Sequence, residues 1–112
     1  MTDDERAVLQ RWLDEVAGRP NRACGIFIGS LEPGPMEGDP YQSRARPWDE
    51  PDLLRCGCLD GEDLLLAAEG AHGPLDLRLE RVGQVRADEH GWGPGVHLTA
   101  TISGRGCRVW LV

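Results

Sequence analysis

Apolar residues recur along the first segment with the period of a helix. Val8, Leu9, Trp12, Leu13 and Val16 make one stripe, spaced i, i+1, i+4, i+5 and i+8. Thr2 and Glu5 have the spacing of a capping box, and Asp3 and Asp4 suit the positive end of a helix dipole. Gly18 can terminate the helix, and Pro20 blocks its continuation. The pattern predicts an amphipathic helix over residues 3–17, its stripe packed on the protein's own sheet.

Beyond the helix the period shortens to two. Residues 23–29 are apolar on both faces and predict a short strand, central or helix-covered, weakened at Gly25 and Gly29. Residues 53–59 and 64–69 read as antiparallel partners about the Asp60-Gly61 turn signal. Leu75, Leu77 and Leu79 alternate with Asp76, Arg78 and Glu80, a half-buried strand with room to run to Val82 or Val85. Val96, Leu98, Ala100 and Ile102 alternate with His97, Thr99 and Thr101. After a turn at 103–106, Cys107, Val109 and Leu111 face inward, leaving Arg108 and Trp110 outward. That places Trp110 either under the helix or in solvent. Five prolines (Pro33, Pro35, Pro40, Pro47, Pro51) exclude a helix or central strand from a long Pro/Gly-rich loop at about 31–52. The expected fold class is α+β. A single domain over residues 1–112 carries an N-terminal amphipathic helix packed on a mostly antiparallel sheet of about 5–6 strands.

Composition narrows the function. The net charge of −7, from 19 acids against 12 bases, repels phosphate backbones and anionic lipid surfaces, so neither nucleic acid nor membrane is an expected partner. The acidic start of the chain lacks the basic and apolar regions of a secretion signal, which points to the cytoplasm and to reduced cysteines. All twelve bases are arginine, which removes lysine-dependent chemistry such as Schiff bases and the P-loop lysine.

Cys56 and Cys58 form a C-x-C pair that a strand would present on one face. Two such thiolates could bind zinc, with Cys24, Cys107 or a histidine completing the set, or could serve redox chemistry. The apolar neighbours of all four cysteines equally suit core packing. His72, His90 and His97 show no metal or catalytic spacing, so neither a cofactor nor an enzymatic activity is expected. The acids gather at Asp3-Asp4-Glu5, at Asp49, Glu50 and Asp52, at Asp60, Glu62 and Asp63, and at Asp88-Glu89. Such turns are either solvated caps or an anionic patch that docks a cationic protein. Aromatic and arginine residues are the types enriched at binding hot spots, so Tyr41 and Trp48 in the long loop and Trp92 in a Gly/Pro loop are candidate anchors.

A stretch over about residues 48–85 carries a resemblance. Trp48-Asp49, Leu53-Leu54, Leu59-Asp60-Gly61, Leu64-Leu65-Leu66, Leu75-Asp76-Leu77-Arg78-Leu79 and Val82 occur in an order that resembles small β-rich bacterial immunity proteins of polymorphic-toxin systems. The Pro-rich stretch at 31–47 departs from that pattern. The resemblance implies a non-catalytic cytoplasmic inhibitor that covers a toxin's active site, and no site residue follows from it. Together with the acidity it leads to an expected function. The chain would be a non-enzymatic acidic binding protein that sequesters a basic protein partner, a toxin domain, as a monomer or homodimer. Contacts are expected at Tyr41, Trp48, Asp49, Glu50, Asp60, Glu62, Asp63, Asp88, Glu89 and Trp92. The alternatives are a small zinc or redox domain using Cys56 and Cys58, and a homodimeric structural subunit.

Overall fold

The helical stripe and the alternating strands build one helix on one antiparallel sheet. The computed structural model describes residues 1–31, 51–70, 73–90 and 93–112, the side chains at 30, 88–90, 93 and 94 apart. Helix α1 spans Asp3–Ala17, as its capping pattern predicts. The Thr2 backbone N–H donates to Glu5 Oε1 at 2.9 Å, and the Glu5 N–H donates to Thr2 Oγ1 at 3.1 Å. This reciprocal box satisfies two of the free donors at the helix start. No helix among the described residues is long and apolar enough to cross a membrane.

Seven strands follow: β1 (Ala23–Cys24), β2 (Ile26–Ser30), β3 (Asp52–Asp60), β4 (Asp63–Gly70), β5 (Gly73–His90), β6 (Gly93–Ile102) and β7 (Arg105–Leu111). The count exceeds the expected five or six because the single strand expected at 23–29 is divided at Gly25. Every pairing is antiparallel, in the order β1-β3-β4-β5-β6-β7-β2. Since only Gly25 separates β1 from β2, this order begins and ends on one stretch of chain. Gly25 itself exchanges two backbone hydrogen bonds with Val112, at 3.1 and 2.9 Å. The sheet therefore curls until its pairing closes, which leaves few free edges.

Two segments pass from one half of the curl to the other. The first half-sheet comprises β1, β3, β4 and residues 73–79 of β5. The second comprises residues 80–90 of β5 with β6, β7 and β2. β5 makes its crossing through register shifts between Glu80 and Gly83 and between Gly83 and Arg86. Each shift sets three steps of β5 against two of β6, which is one extra residue and a local bend. Arg81 (φ 52°) and Gln84 (φ 50°) take the left-handed conformation at these bulges. The expected strand at 75–79 thus continues ten residues further than its alternation, to His90, because bulges break the period without ending the strand.

The other crossing, at Gly25, is held by Asp52. This residue is buried, at 3% exposure, and its Oδ2 accepts the Ile26 N–H at 3.1 Å. The carboxylate replaces a ladder partner at the point where the strand changes neighbours. Its place in an acidic surface cluster with Asp49 and Glu50 is corrected accordingly. Gly70 makes room for it, since a Cβ there would lie 3.1 Å from Asp52 Oδ1.

The core is the concave side of the curl. Leu9, Trp12, Leu13 and Val16 of α1 pack with Leu54, Leu64, Leu66, Leu79, Val96, Leu98, Val109 and Leu111. Full burial of each such side chain contributes about 1.5–3 kcal/mol. Gly57 lets the helix approach β3, because a Cβ there would meet Leu13 Cδ2 at 2.6 Å. The Gly61-Glu62 loop joins β3 to β4, with Gly61 at φ 61°, and the Ser103-Gly104 loop joins β6 to β7, both residues at positive φ. Two-residue loops of this kind fix the register of the strands they join.

Candidate functional site

The inner faces of the two half-sheets are both apolar, so chemistry can differ only on the outer faces. On the first half-sheet, with Asp52 buried, residues 53–79 carry five acids and two arginines. Arg78 lies 2.6 Å from Asp63 Oδ2 and 3.9 Å from Asp60 Oδ2. Arg55 lies 3.3 Å from Asp76 Oδ1 and 3.7 Å from Glu69 Oε1. Each arginine is shared by two carboxylates, so negative charge remains in excess. Asp60 and Asp76 stay 65% and 75% exposed within their pairs, leaving room for a further cation. Glu62 contacts the Met1 amino group and the Arg6 guanidinium, the latter at 3.4 Å.

Three of the expected contact residues, Asp60, Glu62 and Asp63, have side chains among those described. They gather at the β3–β4 turn. Asp63 is mainly a fold residue: its side chain is 18% exposed and its Oδ1 accepts the Arg81 N–H at the first β5 bulge, at 3.3 Å. The Glu62 carbonyl accepts the Val82 N–H beside it at 2.9 Å. Asp88 and Glu89 lie in β5, with side chains outside the described residues. Tyr41, Trp48, Asp49, Glu50 and Trp92 also lie outside them, as does His72. Sequence reasoning missed Glu69 and Asp76, whose cross-strand positions complete the acidic face.

Glu5 repeats the pattern of a carboxylate that serves the fold. Beyond its cap, its Oε2 accepts the Val85 N–H at 2.9 Å, between the second bulge and the helix. The backbone N–H groups of Thr2 and then Val85 hold its carboxyl below the ordinary value.

Cys56 and Cys58 are exposed on the outer face of β3, which corrects their assignment to the core. A register shift between Leu54 and Cys56 turns both outward and leaves Gly57 facing the helix. Cys24 is buried at 3% exposure, and burial first and the Asp52 charge second push its thiol up to about 12, against an opposing effect of Arg19. Cys107 lies on β7 in the other half-sheet. The described residues hold no group of three or more His, Cys, Asp or Glu that could bind a metal, so the four cysteines do not assemble into a zinc site.

The outer face of the second half-sheet is built differently. His97 on β6 is in register with Trp110 on β7, and Trp110 with Phe27 on β2. The His97 and Trp110 rings stack at 5.7 Å and 3°, and Trp110 meets Phe27 at 5.2 Å and 32°. Trp110 thus faces away from α1, in a row of rings across three strands. Arg86 is in register with His97, and Arg108 with Thr99. Between them lies a groove of about 700 Å³, bounded by Leu31, Gln84, Arg86, His97, Thr99 and Arg108. Residues 80–112 carry four arginines against three acids.

No protein-family model matches the chain, and no curated protein and no solved structure matches it. Function is therefore argued from these two surfaces alone.

Proposed function

We propose that the chain is a non-enzymatic binding protein that sequesters a cationic protein partner, in the manner of an immunity protein covering a toxin's basic active site. The observation that supports this reading best is the outer face of the first half-sheet. There Arg55 and Arg78 are each outnumbered by carboxylates, and Asp60 and Asp76 remain more than half exposed. Such a face raises the association rate and favours basic partners, more than it adds affinity outright. The antiparallel scaffold beneath it, closed through Gly25, gives the face a fixed shape. This suits inhibition by coverage, because a preformed surface loses little entropy on docking.

The test begins with partner capture from the native source, eluted by salt, and continues with the purified pair. The expected result is a basic protein whose affinity falls steeply with salt. The double variant Asp60→Asn/Asp76→Asn should weaken it by about tenfold or more, roughly 1.4 kcal/mol, while folding normally. Unchanged affinity in that variant, or a partner with an acidic contact surface, overturns the assignment.

A further inference from the structure

We propose that the groove on the outer face of the second half-sheet is a binding site for a small ligand bearing a carboxylate or phosphate group, held between Arg86 and Arg108. The site is separate from the acidic face and shares only β5 with it, the acidic face using residues 73–79 of that strand and the groove residues 84–86. Arg86 and Arg108 stand on β5 and β7, on either side of β6. Adjacent strands are about 4.8 Å apart, so the two backbones are separated by about 10 Å, which two arginine side chains can close over β6. None of the ion pairs that occupy Arg6, Arg55 and Arg78 involves either of them. No carboxylate lines the groove among the described residues. Two cations held on one concave surface repel each other, and an oxyanion between them relieves that repulsion. The guanidinium fork matches the geometry of carboxylate and phosphate oxygens.

The remainder of the groove sets its shape. Gly83 lies beside the groove next to Thr99, with room for a side chain: a Cβ there would touch only Thr99 Oγ1, at 4.0 Å. The Thr99 hydroxyl donates to the Gly83 carbonyl at 3.2 Å, so its proton is committed and the arginines carry the anion. The His97 ring, parallel to Trp110, stands as a flat wall beside Arg86, suited to a planar part of a ligand. Leu31 closes the far end, packed where a Cβ on Gly106 would fall 2.7 Å from its Cδ1. A volume of about 700 Å³ lies within the 300–1,000 Å³ typical of small-molecule sites.

The test is a titration of ¹⁵N-labelled protein at low ionic strength with three probes in turn: inorganic phosphate, citrate, and adenosine monophosphate. The expected result is saturable amide shifts confined to residues 83–86, 97–99 and 108. Phosphate against citrate distinguishes the two oxyanions, and tighter binding of the nucleotide than of phosphate assigns the ring wall. Arg86→Gln and Arg108→Gln should each weaken binding by about tenfold. Gly83→Leu, which places a side chain beside the groove and removes no charge, should abolish binding with the melting temperature nearly unchanged. The inference is overturned by an absence of saturable shifts up to about 10 mM of every probe, far weaker than the millimolar range of simple ligands. It is also overturned by equal shifts at Arg11 and Arg105, by insensitivity to Gly83→Leu, or by a response to an acidic peptide with none to the small anions.

Discussion

The two half-sheets are alike inside and opposite outside. Both turn apolar side chains toward α1, leucine in the first and leucine with valine in the second, and both are antiparallel ladders joined by two-residue loops. Outside, buried Asp52 apart, residues 53–79 carry five acids and two arginines, whereas residues 80–112 carry four arginines and three acids. The first face is crossed by ion pairs and bears two exposed thiols. The second carries a groove between Arg86 and Arg108 and a row of stacked rings. Packing specifies only the inner residues of a strand, so the outer ones are free to diverge. A face that diverges strongly from its twin is where selection for binding is to be sought. Cationic protein is assigned to one face and anionic small molecule to the other on that ground.

The largest contrast is in thiol reactivity, which separates outside from inside within the first half-sheet and its seam. Cys56 and Cys58 should label with a disulfide reagent at pH 8 like free thiols. Cys24, with its thiol pushed up to about 12 and its side chain 3% exposed, should label at least about 10³-fold more slowly, since the thiolate is the nucleophile. Comparable rates would mean that the Gly25 seam opens readily. The same seam is tested by Asp52→Ala, which strands the buried Ile26 N–H and leaves a void beside Gly70. The expected loss is about 2–4 kcal/mol in urea unfolding, against a smaller loss for Asp52→Asn, which keeps an acceptor. Equal losses in the two variants would show that charge, and not the hydrogen bond, holds the two halves together.

What the sequence makes legible follows the same division. Helix 3–17 was legible because cap, stripe and stop agree. The inner faces of β6 and β7 were legible because alternation reports burial directly. The seams were not. Nothing local marks Arg81 and Gln84 as bulge residues, since arginine and glutamine seldom take positive φ, so β5 was expected to end early. The bulge before Cys56 reversed the expected burial of two cysteines in the same way. At the candidate sites, Asp60, Glu62 and Asp63 could be read as one turn. The groove could have been inferred in part: the two-residue loop at Ser103-Gly104 pairs His97 with Trp110 and Thr99 with Arg108, all outward residues. Arg86 could not be reached from the alternation at 75–80, because two bulges intervene; its register with His97 counts back only from the β5–β6 loop, where the sequence signals a longer turn.

Glu5 offers a milder probe of the second seam. Its carboxylate accepts N–H groups from Thr2 and Val85 and is held below its ordinary value of 4.5. A depressed carboxyl stabilises the fold at pH above the ordinary value, and that contribution is lost as pH falls through the folded-state value. Glu5→Gln should therefore cost about 1 kcal/mol at pH 7, and the difference from the parent should shrink toward zero as pH falls below 4.5. Urea titrations at neutral and acidic pH measure both. A pH-independent difference would assign the effect to side-chain packing instead.

The smallest expected effect concerns the bend itself. Arg81 lies in the first bulge of β5 and Gln84 in the second, and both hold φ near 50°. A left-handed residue with a Cβ costs about 1–2 kcal/mol relative to the right-handed form. Glycine removes that cost but loses more backbone entropy on folding, by about 0.5–1 kcal/mol. The balance favours glycine by roughly 0.5 kcal/mol, so Arg81→Gly and Gln84→Gly should each raise the melting temperature by about 2–4 °C. The two bulges lie on the same strand but are anchored separately, one by Asp63 and Glu62, the other by Glu5. The gains should therefore add in the double variant. A fall in either single variant would mean that its side chain, and not the backbone bend, holds that bulge. The bulge that failed would identify which half-sheet depends on its outer residues for its shape.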